Sequence, residues 1–396
     1  MTRLTNSAGV VALCVAALVS FNLVSSETSA EPAADSSLSG SLRRGTATPQ
    51  SMGVLGFAPD GTLFIGDSKG GAVFAVETGG IAPPDDQEPV SVRDVESKIA
   101  ARLGAEASDI LVHDMAVHPI SHVIFLAVSR GRANWDSPWK MPNHVADADI
   151  LLTIDAEGSI DEFSLEDVRF ARVELSNPVD SEKKHPWMPD LNLRTDTITD
   201  MAYTEGTLFV AGLSNEDFAS TLWRVPLPFA DGTAATTLEI YHGAHGAFET
   251  QAPIRTFVPY SLGGEEHILA AYLCTPLSLF KVEDLEEKQH LRGRTVAEFG
   301  SGNYPIDMVV VESEEGDQII IANSNLPLIV LDTAEIENFD GEILERPETY
   351  TAGVSHIKRS GTGIQQLDVV DNRYLVILKR MPSGTLDLGS QPLRRG

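Results

Sequence analysis

The sequence predicts an all-β chain made by repeating one antiparallel unit, and three observations carry that prediction. Residues 53–79 (GVLGFAPDGTLFIGDSKGGAVFAVETG) read as three short apolar strands joined by the turns Pro59-Asp60-Gly61 and Asp67-Ser68-Lys69-Gly70-Gly71. Runs of about five β-branched and aromatic residues between such turns are a strand-meander signal. The same strand–turn–strand pattern then recurs along the whole chain, and nothing in the first unit favours a helix.

Before that unit, Arg3 and the apolar run 8–24 (AGVVALCVAALVSFNLV) have the form of a secretory signal, with Thr28-Ser29-Ala30 as the cleavage site. The expected organisation is a signal peptide over 1–30, a disordered leader over 31–50 and one domain over 51–396. Cleavage would leave Cys274 as the sole cysteine, so no internal disulfide is expected. Its apolar setting (AAYLCTPLSLF) predicts a buried, inert thiol. The formal charge of −28, from 57 acidic and 29 basic residues, argues against nucleic acid and anionic membranes. A periplasmic or extracellular monomer that stays out of the membrane after cleavage is expected.

The six copies begin VLGFAPDGTLFIGD at Val54, HDMAVHPISHVIFLAV at His113, TDMAYTEGTLFVAG at Thr199, RTFVPYSLGGEEHILAAY at Arg255, IDMVVVESEEGDQIIIAN at Ile306 and QQLDVVDNRYLVILK at Gln365. Third strands follow as ADILLTID, STLWRVPL, LSLFKVED and PLIVLDT. Fourth strands follow as VRFARVEL, TTLEIYHG, RTVAEFG and ETYTAGV. Residues 92–104 read as a strand-to-helix insertion before the second copy. Four antiparallel strands per repeat describe a single β-propeller, with six blades expected and seven as the alternative count. The last copy is short of strands, so a segment near 39–48 is expected to complete it. Over roughly residues 51–390 the units resemble blades of the broad NHL-, YVTN- and SMP-30-type propeller superfamily. That resemblance implies architecture alone.

In a propeller the loops between blades and between second and third strands share one face, the top. Those loops are long here (131–147, 176–196 and 242–253), so the top face is the expected binding face. Trp135, Trp139 and Trp187 fall in them, offering flat apolar contact for a protein, peptide or saccharide. At the channel mouth the pairs Asp114-Met115, Asp200-Met201 and Asp307-Met308 repeat. These carboxylates could hold Ca²⁺ or Mg²⁺, or each could accept backbone N–H bonds from the neighbouring blade. His113, and His242 with His245 in the loop YHGAHG, suggest a Zn²⁺ or Cu²⁺ site completed by Asp200.

No GxSxG, HExxH, phosphate-binding glycine loop or CxxCH occurs in the sequence. Two functions remain open. The first is a ligand- or protein-binding scaffold working through its top face. The second is a divalent-metal hydrolase or lyase, with Asp114, Asp200 and Asp307 on the metal, His113 or His242 moving protons and Arg255 orienting an anionic substrate.

Overall fold

Every middle strand of the repeat sends consecutive side chains to opposite sides, and this alternation builds the domain. A computed structural model of the chain describes residues 40–79, 89–130, 149–229 and 232–393, which lie within one compact unit, 36–396. The expected signal peptide, Trp135, Trp139 and the connection 131–147 lie outside the described residues. No helix among those described is long and apolar enough to cross a membrane.

The chain is a six-bladed β-propeller. Its blades are six separate antiparallel sheets, and six apolar clusters fill the seams between them. Phe64 of the first blade joins Val210 and Trp223 of the third, while its neighbour Ile65 joins Phe125 of the second. Phe209 and Ile268 meet between blades three and four, and Leu269 and Ile321 between four and five. Ile320 and Ile377 meet between five and six, and Leu378 and Leu126 between six and two. Because both faces of each middle strand are covered, these strands are apolar throughout rather than alternating. Thr62–Asp67 is buried at all six positions.

The seams show that the ring order is one, three, four, five, six, two, so the first two blades are exchanged relative to the chain. The outer strands explain how. Val168–Glu174, expected to finish blade two, pairs with Ala72–Glu77 and finishes blade one. Blade two instead ends with Ile160–Glu162. Blade six is completed by Ser91–Val92, not by the segment near 39–48. Arg43–Gly45, inside the stretch read as leader, is a strand on the outer edge of blade one. Blade five takes Ile357–Arg359 as its fourth strand, while Ala352–Gly353, expected there, extends blade four. Outer strands are short and generic in composition, so local pattern does not fix their partner. The helix Val95–Leu103 occupies the expected insertion and buries Val95 and Ile99 in the seam of blades six and two.

Candidate functional site

The repeated Asp residues sit on the inner strands and face the channel. Asp114 accepts from the Met115 N–H at 2.8 Å and from the Leu55 N–H of blade one at 2.7 Å. Asp200 accepts from Met201 and from Phe257 of blade four at 2.8 and 2.7 Å. Asp307 does the same with Met308 and with Leu367 of blade six, at 2.9 and 2.8 Å. A fourth carboxylate, Asp368, joins Val369 to Val117 of blade two at 2.7 Å each. One oxygen therefore closes on the residue's own strand, and the other staples the neighbouring inner strand.

Asp114, Asp200, Asp307 and Asp368 are half-buried on these inner strands. Burial pushes Asp114 up to about 8, against the pull of its backbone bonds, with the charge of Asp200 adding to the rise. Asp200 rises to about 7 and Asp368 to about 6 for the same leading reason. Burial, then the charge of Asp114, raises Asp307 well above the ordinary carboxylate range. At the channel mouth Arg255 donates to Asp196 at 3.0 Å and lies 5.1 Å from the centre of the Tyr304 ring. Burial opposes its charge, but Asp196 and Tyr304 outweigh burial and hold the guanidinium firmly protonated. His113 donates to or accepts from Ser129 at 2.8 Å, with Asp149 4.0 Å away.

The second cluster lies off the axis, on the top side of the seam between blades three and four. His242 ends the outer strand of blade three, Ala234–His242. The chain turns through Gly243 to Gly246 and returns as Ala247–Glu249. That hairpin brings Glu249 beneath both imidazoles, whose Nδ1 atoms bond its two oxygens at 2.8 Å (His242) and 2.5 Å (His245). The turn itself is held by buried Glu298 of blade four, which accepts from the Gly243 and Ala244 N–H groups.

Cys274 completes the cluster from the turn between the second and third strands of blade four. It is half-buried rather than sunk in a strand, which corrects the inert apolar thiol expected from its neighbours. Cys274 and Thr275 both adopt left-handed backbone, at φ 63° and 68°, a region that β-branched residues rarely enter. The bonds that hold the turn include Cys274 N–H to the Asn303 carbonyl, the Thr275 hydroxyl to the Gly300 carbonyl, and the Gly302 N–H to Sγ at 3.5 Å.

Ligand atoms of His242, His245 and Cys274 all lie within 4.8 Å of one another, and no other such group of three occurs among the described residues. The histidine pair is thus joined by Cys274 and Glu249, where the sequence suggested Asp200. Burial opposes protonation of His242, but the Cys274 thiol, Glu249 and Glu298 together push it up to about 9. The Cys274 thiol is held low chiefly by His242, against burial. Nε2 of His242 is buried and completes no hydrogen bond of normal geometry, although the Cys274 thiol interacts with the ring.

Other unsatisfied polar atoms belong to the same two blades. They include Nε of Arg255, Oγ1 of Thr197 and the hydroxyls of Ser220 and Tyr272. The last two interact with each other as a buried hydroxyl pair. Trp187 stands at the tip of a small hairpin closed by bonds from His185 to Leu191 and from Leu193 to Lys183. It is 86% exposed, so it covers no scaffold.

No family model and no curated protein matches the sequence. The fold is similar to the extracellular domain of a hybrid two-component system from B. thetaiotaomicron, at 10% identity and a TM-score of 0.33. The match covers 85% of this chain, which spans about a third (32%) of that protein. It is also similar to Drosophila Semaphorin 1b, extracellular domains 1–2 (13% identity, TM-score 0.34, 89% and 87% of the two chains). A chain of the Mitotic Checkpoint Complex matches at 8% identity and a TM-score of 0.32, over 89% and 94%.

Proposed function

We propose that the protein is an exported binding module that works through its top face, with the seam of blades three and four as its centre. The observation that carries this reading is where unsatisfied polarity collects. Buried polar atoms are normally paired, and an unpaired one calls for an explanation such as a ligand or ordered water. Among the described residues, His242, Arg255 and Thr197 supply such atoms in blades three and four, beside the Ser220–Tyr272 hydroxyl pair, and His122 of blade two supplies another. The exposed Trp187 offers apolar contact area on the same face, and the acidic surface favours a ligand with cationic groups.

The second reading, a divalent-metal hydrolase or lyase at the channel mouth, requires carboxylate oxygens free to hold a cation. Those of Asp114, Asp200 and Asp307 each accept a backbone N–H. That favours binding over hydrolysis. A photo-crosslinking residue placed at Trp187, on the top, and at Glu205, in a bottom turn, separates the faces. Adducts formed in the exported fraction from position 187 and not from 205 support the proposal. Adducts confined to position 205 contradict it.

A further inference from the structure

We infer that His242, His245 and Cys274 bind a single thiophilic d¹⁰ metal cation, Zn²⁺ or Cu⁺, with Glu249 orienting both imidazoles. This goes beyond the binding-module reading and is independent of whatever else the face holds.

The donor set comes first. Two imidazoles and one thiolate converge within 4.8 Å, a nitrogen–sulfur set that selects zinc or cuprous ion over the oxygen-seeking Ca²⁺ and Mg²⁺. The orientation of the rings is the second argument. With both Nδ1 atoms bonded to Glu249, the Nε2 atoms are the ones left to ligate. A carboxylate behind each metal-binding histidine is the usual way the tautomer and ring angle are fixed.

The third argument is cost. Nε2 of the buried His242 ring completes no hydrogen bond of normal geometry, its interacting neighbour being the Cys274 thiol, and such a nitrogen is unfavourable. A bound cation satisfies it. The site is also rigid: Glu298 fixes the histidine turn, and hydrogen bonds to Asn303, Gly300 and Gly302 hold Cys274 and Thr275 in a left-handed turn. Backbone held in rarely used conformations clusters at ligand clamps. His245 is about half exposed, so solvent reaches the three-ligand site and can supply a fourth ligand.

The test uses the full-length chain carrying Cys14→Ser, so that Cys274 is the only thiol. The protein is stripped with a chelator, checked for folding by circular dichroism, and titrated with Co²⁺ as an optical stand-in for Zn²⁺. A separate arm titrates Cu⁺ against a chromogenic chelator. One equivalent should bind, with a thiolate-to-cobalt charge-transfer band that Zn²⁺ abolishes and Ca²⁺ leaves unchanged. Cys274→Ser should remove the band while keeping the fold. Glu249→Gln, which keeps all three ligands, should weaken binding by about tenfold to a hundredfold. Metal should also protect Cys274 from alkylation. A folded apo protein that takes up neither Co²⁺ nor Cu⁺, or binding that survives both Cys274→Ser and His242→Ala, overturns the assignment. Rapid alkylation of Cys274 at saturating metal does so as well, in favour of a metal-free cysteine–histidine pair.

Discussion

The channel carboxylates and the histidine–cysteine notch are both clusters of titratable groups, yet they are built in opposite ways. In the channel, Asp114, Asp200, Asp307 and Asp368 each use both oxygens on backbone N–H groups of two neighbouring strands. In the notch, Glu249 takes one nitrogen from each imidazole, and ligand atoms of both histidines and of Cys274 lie within 4.8 Å of one another. A staple consumes its polar atoms inside the fold, whereas a site holds some back. Charge density alone does not distinguish them.

That contrast is broken most forcefully at the staples. Asp114→Ala strips the acceptor from two N–H groups in the middle of the molecule. A cost of about 2–4 kcal/mol is expected, read as a lower denaturation midpoint with an unchanged slope. Metal uptake by the folded fraction should not change. Gly243→Ala is the corresponding strike at the notch. A β-carbon there would meet Glu298 Oε1 at 2.8 Å and Pro347 at 3.1 Å. Displacing Glu298 should cost about 1–2 kcal/mol and loosen metal binding, as unfolding and titration of the same sample would show.

The channel carboxylates also make stability depend on pH. Above the ordinary carboxylate value near 3.8 the unfolded chain has released its protons, while folded Asp114 keeps its own up to about 8. The folded state therefore binds more protons in that window, and stability falls as pH rises through it. Asp114→Asn removes this contribution. The stability difference between wild type and Asp114→Asn should shift in favour of the variant between about pH 4 and 8. A constant difference across that range contradicts the burial argument. The smallest expected effect is at Trp187, where substitution by Ala should alter stability by no more than about 0.5 kcal/mol. The same change should still reduce top-face capture in the crosslinking experiment.

Much of the fold was legible in the sequence because the repeated unit buries both faces of its middle strand, which leaves a strong local signature at Thr62–Asp67 and its five counterparts. The ring order was not. Nothing in VRFARVEL tells blade one from blade two, since an outer strand is recognised by the sheet edge it meets. The Asp-Met repeat was legible as a pattern, and its stapling became visible only with the Leu55, Phe257 and Leu367 amides in place. Asp368 was missed because Gln366, not Asp368, occupies the bulged register matching Asp114 and Asp307. Gln366 still bridges blades, donating to the His113 carbonyl at 3.0 Å. In the notch, the spacing of His242, His245 and Glu249 could have been read as a hairpin triad. Cys274 could not be joined to it, because that contact crosses a blade seam.

X-ray absorption at the metal edge of zinc- or copper-loaded protein reads the ligand shell of the notch itself. The account predicts a shell of one sulfur near 2.3 Å and nitrogens at roughly 2.0–2.1 Å for zinc, with the sulfur contribution lost in Cys274→Ser. An all-oxygen shell that disappears in Asp114→Ala and persists in Cys274→Ser would place the cation in the channel and contradict it.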